Sequence, residues 1–128
     1  MILLDTHAWV WLASAPSNLS AAAASAIARA DVVGVSPISA WEIAMLAAKG
    51  KIHLSLDAST WVAAGLALDR VRLVPLTAEA AVLAVSLRRD LNRDPADCLI
   101  VATAITQRIP LVSKDRRVRA FAGVDATW

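Results

Sequence analysis

The sequence predicts an α/β fold in which helices cover both sides of a mostly parallel sheet. Three observations carry this. Short apolar runs alternate with longer alanine-rich segments along the whole chain, the order expected of strands joined by crossover helices. The best of the short runs are apolar at successive positions rather than every second one, as in strands buried on both faces. Alanine, the best helix former, fills the long segments, while valine and isoleucine collect in the short ones.

Residues 1–4 form the first apolar run, which ends on Asp5 and reads as a central strand. A helix over 8–13 follows, and then a second over 19–30, opened by Ser20 ahead of an alanine run. Residues 32–35 give the second strand, and Ser36-Pro37 offers an N-cap and a first-turn proline to a helix over 38–49. A helix over 59–68 leads to a strand over 71–76 and a helix over 78–91. Asp94-Pro95 repeats the cap-and-proline pair for a helix over 95–107. Residues 111–113 are the next strand, and 124–128 a last short one. Gly50 and Gly65 are placed at a helix end or a close packing point.

With 128 residues the chain reads as one domain, 1–128. Apolar residues make up 58% and charged residues 19%, which is enough apolar surface to offset chain entropy and excludes disorder. One cysteine, Cys98, excludes a disulfide framework and a cysteine-based zinc cluster. The longest uncharged stretch, 6–28, is interrupted by Pro16, Ser17, Asn18 and Ser20, so it does not read as a membrane span. No basic residue precedes Arg29, the opposite of a secretory signal. The protein is expected to be soluble and cytoplasmic, with no membrane partner. The net charge is only +2, yet ten of thirteen basic residues lie from Arg70 onward. That skew suits either an anionic partner or a solvated basic face. Most of the five tryptophans are expected in the core. So apolar a small domain is also expected to present some of this surface to a partner.

The acids are the most informative feature. Asp5 ends the first strand, and Glu42 lies in the first turns of the helix after the second. Asp94 and Asp97 open the helix over 95–107, and Asp115 follows the strand over 111–113. In an open parallel sheet all these positions fall at the carboxyl ends of the strands, where such folds build their sites. Singly, each has an ordinary reading. Asp94 and Asp97 suit a helix cap and its dipole, Ser39 with Glu42 matches a capping box, and Asp115 suits a cap for 116–121. Asp5 at the end of a central strand is harder to place without a cation or hydrogen-bond donors nearby. Together, five converging carboxylates would repel one another, and a divalent cation relieves that. An oxygen-only ligand set points to Mg²⁺ or Mn²⁺ rather than zinc. His7 and His53 read as structural or surface histidines.

The segments Leu-Leu-Asp5-Thr-His-Ala-Trp, Ser39-Ala-Trp-Glu42-Ile-Ala, Arg93-Asp94-Pro-Ala-Asp97-Cys-Leu-Ile-Val-Ala and Leu-Val-Ser113-Lys-Asp115, in this order and spacing, resemble PIN-domain ribonucleases. The resemblance is to toxins of the VapBC type of toxin–antitoxin pair, and it runs the whole chain. It implies a single PIN domain with a three-layer α/β/α fold. It also implies an acidic quartet of Asp5, Glu42, Asp97 and Asp115, with Asp94 as an additional acid and Thr6 and Ser113 flanking the site. Ala96, Cys98 and Leu46 depart from the pattern, standing where Phe, Arg and Lys are frequent; no carboxylate is lost.

The resemblance implies Mg²⁺- or Mn²⁺-assisted hydrolysis of RNA, leaving a 5′-phosphate and a 3′-hydroxyl. Asp5 and Asp97 are the expected metal ligands, with Glu42 and Asp115 completing an acidic cup. Arg93, Lys114, Arg116 and Arg117 are candidates for contacting the RNA backbone. The implied partners are an RNA substrate, a cognate antitoxin and a second copy of the chain. The Trp9/Trp11 region and the helix over 38–49 are candidates for the antitoxin groove. The alternative is a catalytically silent PIN-like module kept for binding or regulation. A receiver domain is disfavoured because the third strand ends in Thr77 without an aspartate. A haloacid-dehalogenase-like phosphatase is disfavoured because residue 7 is His where Asp is needed.

Overall fold

The computed structural model describes residues 1–91 and 94–128. Arg93, one of the RNA-backbone candidates, lies outside the described residues. The order is β1 (Ile2–Leu4), α1 (Thr6–Ser14), α2 (Ala21–Arg29), β2 (Val33–Val35), α3 (Pro37–Ala48) and α4 (Ala58–Ala67). It continues with β3 (Val71–Leu73), α5 (Ala78–Leu87), α6 (Pro95–Gln107), β4 (Leu111–Val112), α7 (Arg116–Ala120) and β5 (Ala126–Thr127); one 3-10 turn, Pro16–Asn18, joins α1 to α2. The strands pair in the order β3-β2-β1-β4-β5, all parallel. β1 is therefore central, as its uninterrupted apolar run predicts.

Alternate β1 side chains serve opposite faces of the sheet. Leu3 packs with Leu111, Ala80, Ala84, Leu87, Ile100, Val101 and Val118, from β4, α5, α6 and α7. Ile2 and Leu4 pack with Trp9, Ile27, Ile43 and Trp61, from α1 to α4. The result is a three-layer α/β/α sandwich, each helix burying one stripe against the sheet. Each helix from α1 to α7 starts at a residue whose side chain accepts a backbone N–H: Asp5, Ser20, Ser36, Asp57, Thr77, Asp94 and Asp115.

Several expectations are corrected. α1 begins at Thr6 rather than Ala8, because Asp5 caps it through a 2.7 Å bond from the Ala8 N–H. Ser36, not Ser39, caps α3, so there is no capping box with Glu42; Ser39 lies buried inside the helix. The strand expected over 71–76 is shorter, Val71–Leu73, and lies at an edge of the sheet with Arg72 and Leu73 exposed. Gly50, at φ +69, follows the end of α3, where a left-handed residue suits a helix terminus. Gly65 lets α4 lie directly on the Trp9 indole, since a Cβ there would stand 3.0 Å from Trp9 Cζ2. Trp9 and Trp61 are core residues in edge-to-face contact at 5.3 Å. Trp41, by contrast, is 59% exposed. Among the described residues no helix is long and apolar enough to cross a membrane.

Candidate active site at the carboxyl edge of the sheet

The chain runs β1, β2, β3 toward one edge of the sheet, then returns to place β4 on the other side of β1. Connections therefore leave β1 and β4 in opposite directions, and a crevice opens at their carboxyl ends. A pocket of about 400 Å³ lies there, lined by Asp5, His7, Trp11, Glu42, Asp94, Asp97, Lys114 and Asp115. All five acids singled out from the sequence line this one pocket. A larger hollow of about 750 Å³, between the end of α1 and α4, offers one titratable side chain, His53.

Each acid reaches the pocket for a local reason. Asp5 directly follows β1 and is fixed by capping α1. Asp94 caps α6 through a 2.9 Å bond from Ala96 N, and Asp97 stands in the first turn of the same helix. Asp115 caps α7, accepting from Arg117 N at 2.7 Å. Glu42 is different: it lies mid-helix on α3 and is only 5% exposed. Its Oε1 is buried with no hydrogen-bond partner among the described residues. A buried acceptor left unpaired is costly, so such atoms are rare without a ligand to meet them.

Carboxylate oxygens of Glu42, Asp94 and Asp97 all lie within 4.8 Å of one another, close enough to share one cation. Asp97, one expected ligand, belongs to this group together with the additional acid Asp94, while Asp5, the other, lines the same pocket outside it. Burial pushes both Asp5 and Glu42 above the usual carboxylate range. For Asp5, the Ala8 N–H and the Ser113 hydroxyl offset part of the rise, and Asp115 adds to it. For Glu42, the Thr6 hydroxyl offsets part, while Asp94 and Asp5 add to it. Thr6 and Ser113, the flanking hydroxyls, are both buried beside these acids.

The basic candidates distribute unevenly. Lys114 lines the pocket and its ammonium stands 5.4 Å from the Trp11 ring centroid. Arg116 and Arg117 are exposed on α7 just beyond it. His7 and Trp11 also line the pocket, which the spacing of the acids does not indicate. They follow from the earlier start of α1: four residues apart, they share one helical face, with ring centroids 5.6 Å apart. Trp9 is fully buried and supplies no groove surface.

Such a sheet, with five carboxylates gathered where the strand order reverses, defines an α/β domain of the PIN type. The PIN domain family model matches residues 2–124, and the chain belongs to that family. It is 41% identical over 119 residues to Ribonuclease VapC22 of Mycobacterium tuberculosis (strain ATCC 25618 / H37Rv), covering 93% of this chain and 90% of the relative. Among solved structures, VapBC2 from Rickettsia felis, bound to a promoter DNA fragment, matches with a TM-score of 0.67 at 18% identity, over 99% of this chain and 98% of that one. Mycobacterium tuberculosis VapC20, described as a Sarcin-Ricin loop cleaving toxin, matches with a TM-score of 0.66 at 21% identity, over 98% and 99%.

Proposed function

We propose that this protein is a metal-dependent endoribonuclease, the toxin of a toxin–antitoxin pair, hydrolysing RNA phosphodiester bonds at the carboxylate pocket. The observation that carries the reading is the convergence of Glu42, Asp94 and Asp97, with the buried Glu42 Oε1 unpartnered among the described residues. The relative named as a ribonuclease supports RNA as the substrate.

The residues fit a hard divalent cation. The donors are all carboxylate oxygens, and an unpaired buried oxygen is an atom that a cation would satisfy. Mg²⁺ or Mn²⁺ would be held by Asp97 with Glu42 and Asp94, and by Asp5, which lines the same pocket, directly or through water. When bound, the ion supplies positive charge at the scissile phosphate and acidifies nearby water. Glu42 and Asp115 orient the attacking water. Its oxygen bonds to phosphorus as the bond to the 3′-oxygen breaks; the attacking water gives up a proton and the departing 3′-oxygen takes one from solvent, leaving a 5′-phosphate and a 3′-hydroxyl. Lys114, Arg116 and Arg117 neutralise RNA phosphates around a mouth that carboxylates alone would make repulsive. Thr6 and Ser113 hold Glu42 and Asp5 in position.

The proposed partners are an RNA substrate, a cognate antitoxin and a second copy of the chain. Structural neighbours include toxin–antitoxin complexes, and exposed Trp41, Val82 and Val85 leave apolar surface for such contacts. The test is cleavage of a mixed RNA pool by purified protein, with Mg²⁺, with chelator, and as Asp97→Asn. Cutting confined to the first condition supports the reading. Equal traces in all three would make the protein a silent binding module.

A further inference from the structure

The carboxylates account for part of the pocket lining and leave three of its residues, Trp11, His7 and Lys114, unexplained. We propose that these three form a stacking ledge for an unpaired nucleobase, so that Trp11 positions the nucleotide flanking the scissile phosphate. The inference rests on the RNA-cleaving reading and extends it to a binding residue.

Four observations carry it. Trp11 is half-buried at the pocket rather than sunk in the core like Trp9, two residues earlier. Its ring is held from the sides by Trp128 at 5.4 Å and 57°, and by His7 at 5.6 Å and 50°. A ring so held meets a ligand without losing rotamer freedom on binding. Lys114, exposed, places its ammonium over the Trp11 ring, so the pairing of aromatic and cation that serves single-stranded nucleic acid is already assembled. Its flexible stem lets the ammonium move from ring to phosphate when a base arrives. Finally, a pocket of about 400 Å³ suits a nucleotide-sized group better than a helix from a protein partner.

Stacking also explains how a site gripping only phosphate would favour single strands, since a paired base cannot leave its neighbours for a protein ring. The experiment measures binding of a labelled single-stranded RNA by fluorescence anisotropy. Protein carrying Asp97→Asn, with Mg²⁺ present, serves as the parent so that the RNA stays whole. Adding Trp11→Leu should weaken binding about 5- to 150-fold, the range of one base–aromatic stack. Trp11→Phe should retain most of the affinity. RNAs with a single abasic nucleotide, scanned along the oligonucleotide, should reveal one position that weakens the parent and leaves Trp11→Leu unchanged. That scan needs no folded Trp11 variant for its first half.

A parent indifferent to every abasic position, or equally weakened with and without Trp11, overturns the ledge. So does a parent that binds no RNA, or a Trp11→Leu protein that keeps its RNA affinity and loses only a protein partner. Failure of the cleavage reading is seen separately, as RNA left intact in Mg²⁺ by the unsubstituted protein, which retains Asp97, whatever Trp11 binds.

Discussion

Thr6, the first residue of α1, donates a 3.2 Å hydrogen bond to the Ser39 hydroxyl on α3, with both side chains buried. Ser39 lies three residues before Glu42, on the same face of that helix. The bond therefore ties the end of the central strand to the helix that carries the buried glutamate. Thr6→Val keeps the shape and removes the donor. It should lower stability by about 1–3 kcal/mol in urea unfolding, because Ser39 and Glu42 lose a polar neighbour they cannot replace with water. Thr6→Ser should restore most of it.

Asp5 has two separable roles, helix cap and charge. Asparagine keeps an oxygen for the Ala8 N–H but removes the charge that burial and Asp115 disfavour. Asp5→Asn should therefore match or exceed the parent in thermal stability while losing RNA cleavage. Asp5→Ala should lose cleavage and also about 1 kcal/mol of stability, the usual value of a cap. Paired melting and cleavage measurements on the two variants check this.

The raised carboxyls make the metal-free protein respond to pH in an unusual direction. The folded state binds protons at Asp5 and Glu42 more tightly than the unfolded chain does. Their stabilising contribution is complete below the ordinary carboxylate range, about pH 4, and is lost as pH rises through the raised values. In chelator, the melting temperature should rise as pH falls from neutral toward the ordinary carboxylate range. The exposed cap Asp57, held below the usual range by Thr60, works the other way and loses its contribution at lower pH. Added Mg²⁺ should stabilise more at neutral than at acidic pH, because cation and proton compete for the same oxygens.

Gly65 and Trp9 give a purely structural prediction. A methyl group at Gly65 would lie 3.0 Å from Cζ2 and 3.3 Å from Cε2 and Nε1 of an indole locked against Trp61. Gly65→Ala should cost about 1–3 kcal/mol through overpacking. Chemical denaturation measures it, and unchanged stability would mean that the indole moves.

Much of this was legible in the sequence because its punctuation is local. Ser36-Pro37 and Asp94-Pro95 mark two helix starts, and the apolar run before Asp5 marks a central strand. The five acids were readable as one group because each sits at a strand end or in the first turns of a helix, and parallel topology sends those places to one edge. What was not legible turns on where α1 starts, on how helices pack and on strand order. From the sequence Asp5 reads as a strand end and ligand rather than a cap, which puts the start of α1 at Ala8 and hides the shared face of His7 and Trp11. The tight grouping of Asp94 with Glu42 and Asp97 depends on how α6 packs beside α3, which no spacing along the chain records. Val71, Leu73 and Val74 make the run around β3 read as a strand, but Arg72 and the strand order mark it as an edge.

The most direct test of the central claim is to follow Mn²⁺ binding and RNA cleavage in the same samples as the ion is titrated. Loss of the free-ion electron paramagnetic resonance signal reports binding, and product formation reports activity. In the unmodified protein the cleavage rate should track the metal-loaded fraction, and Glu42→Gln should shift both curves together to higher Mn²⁺. Cleavage indifferent to the ion, or a variant that shifts one curve and not the other, would contradict a single carboxylate site serving both.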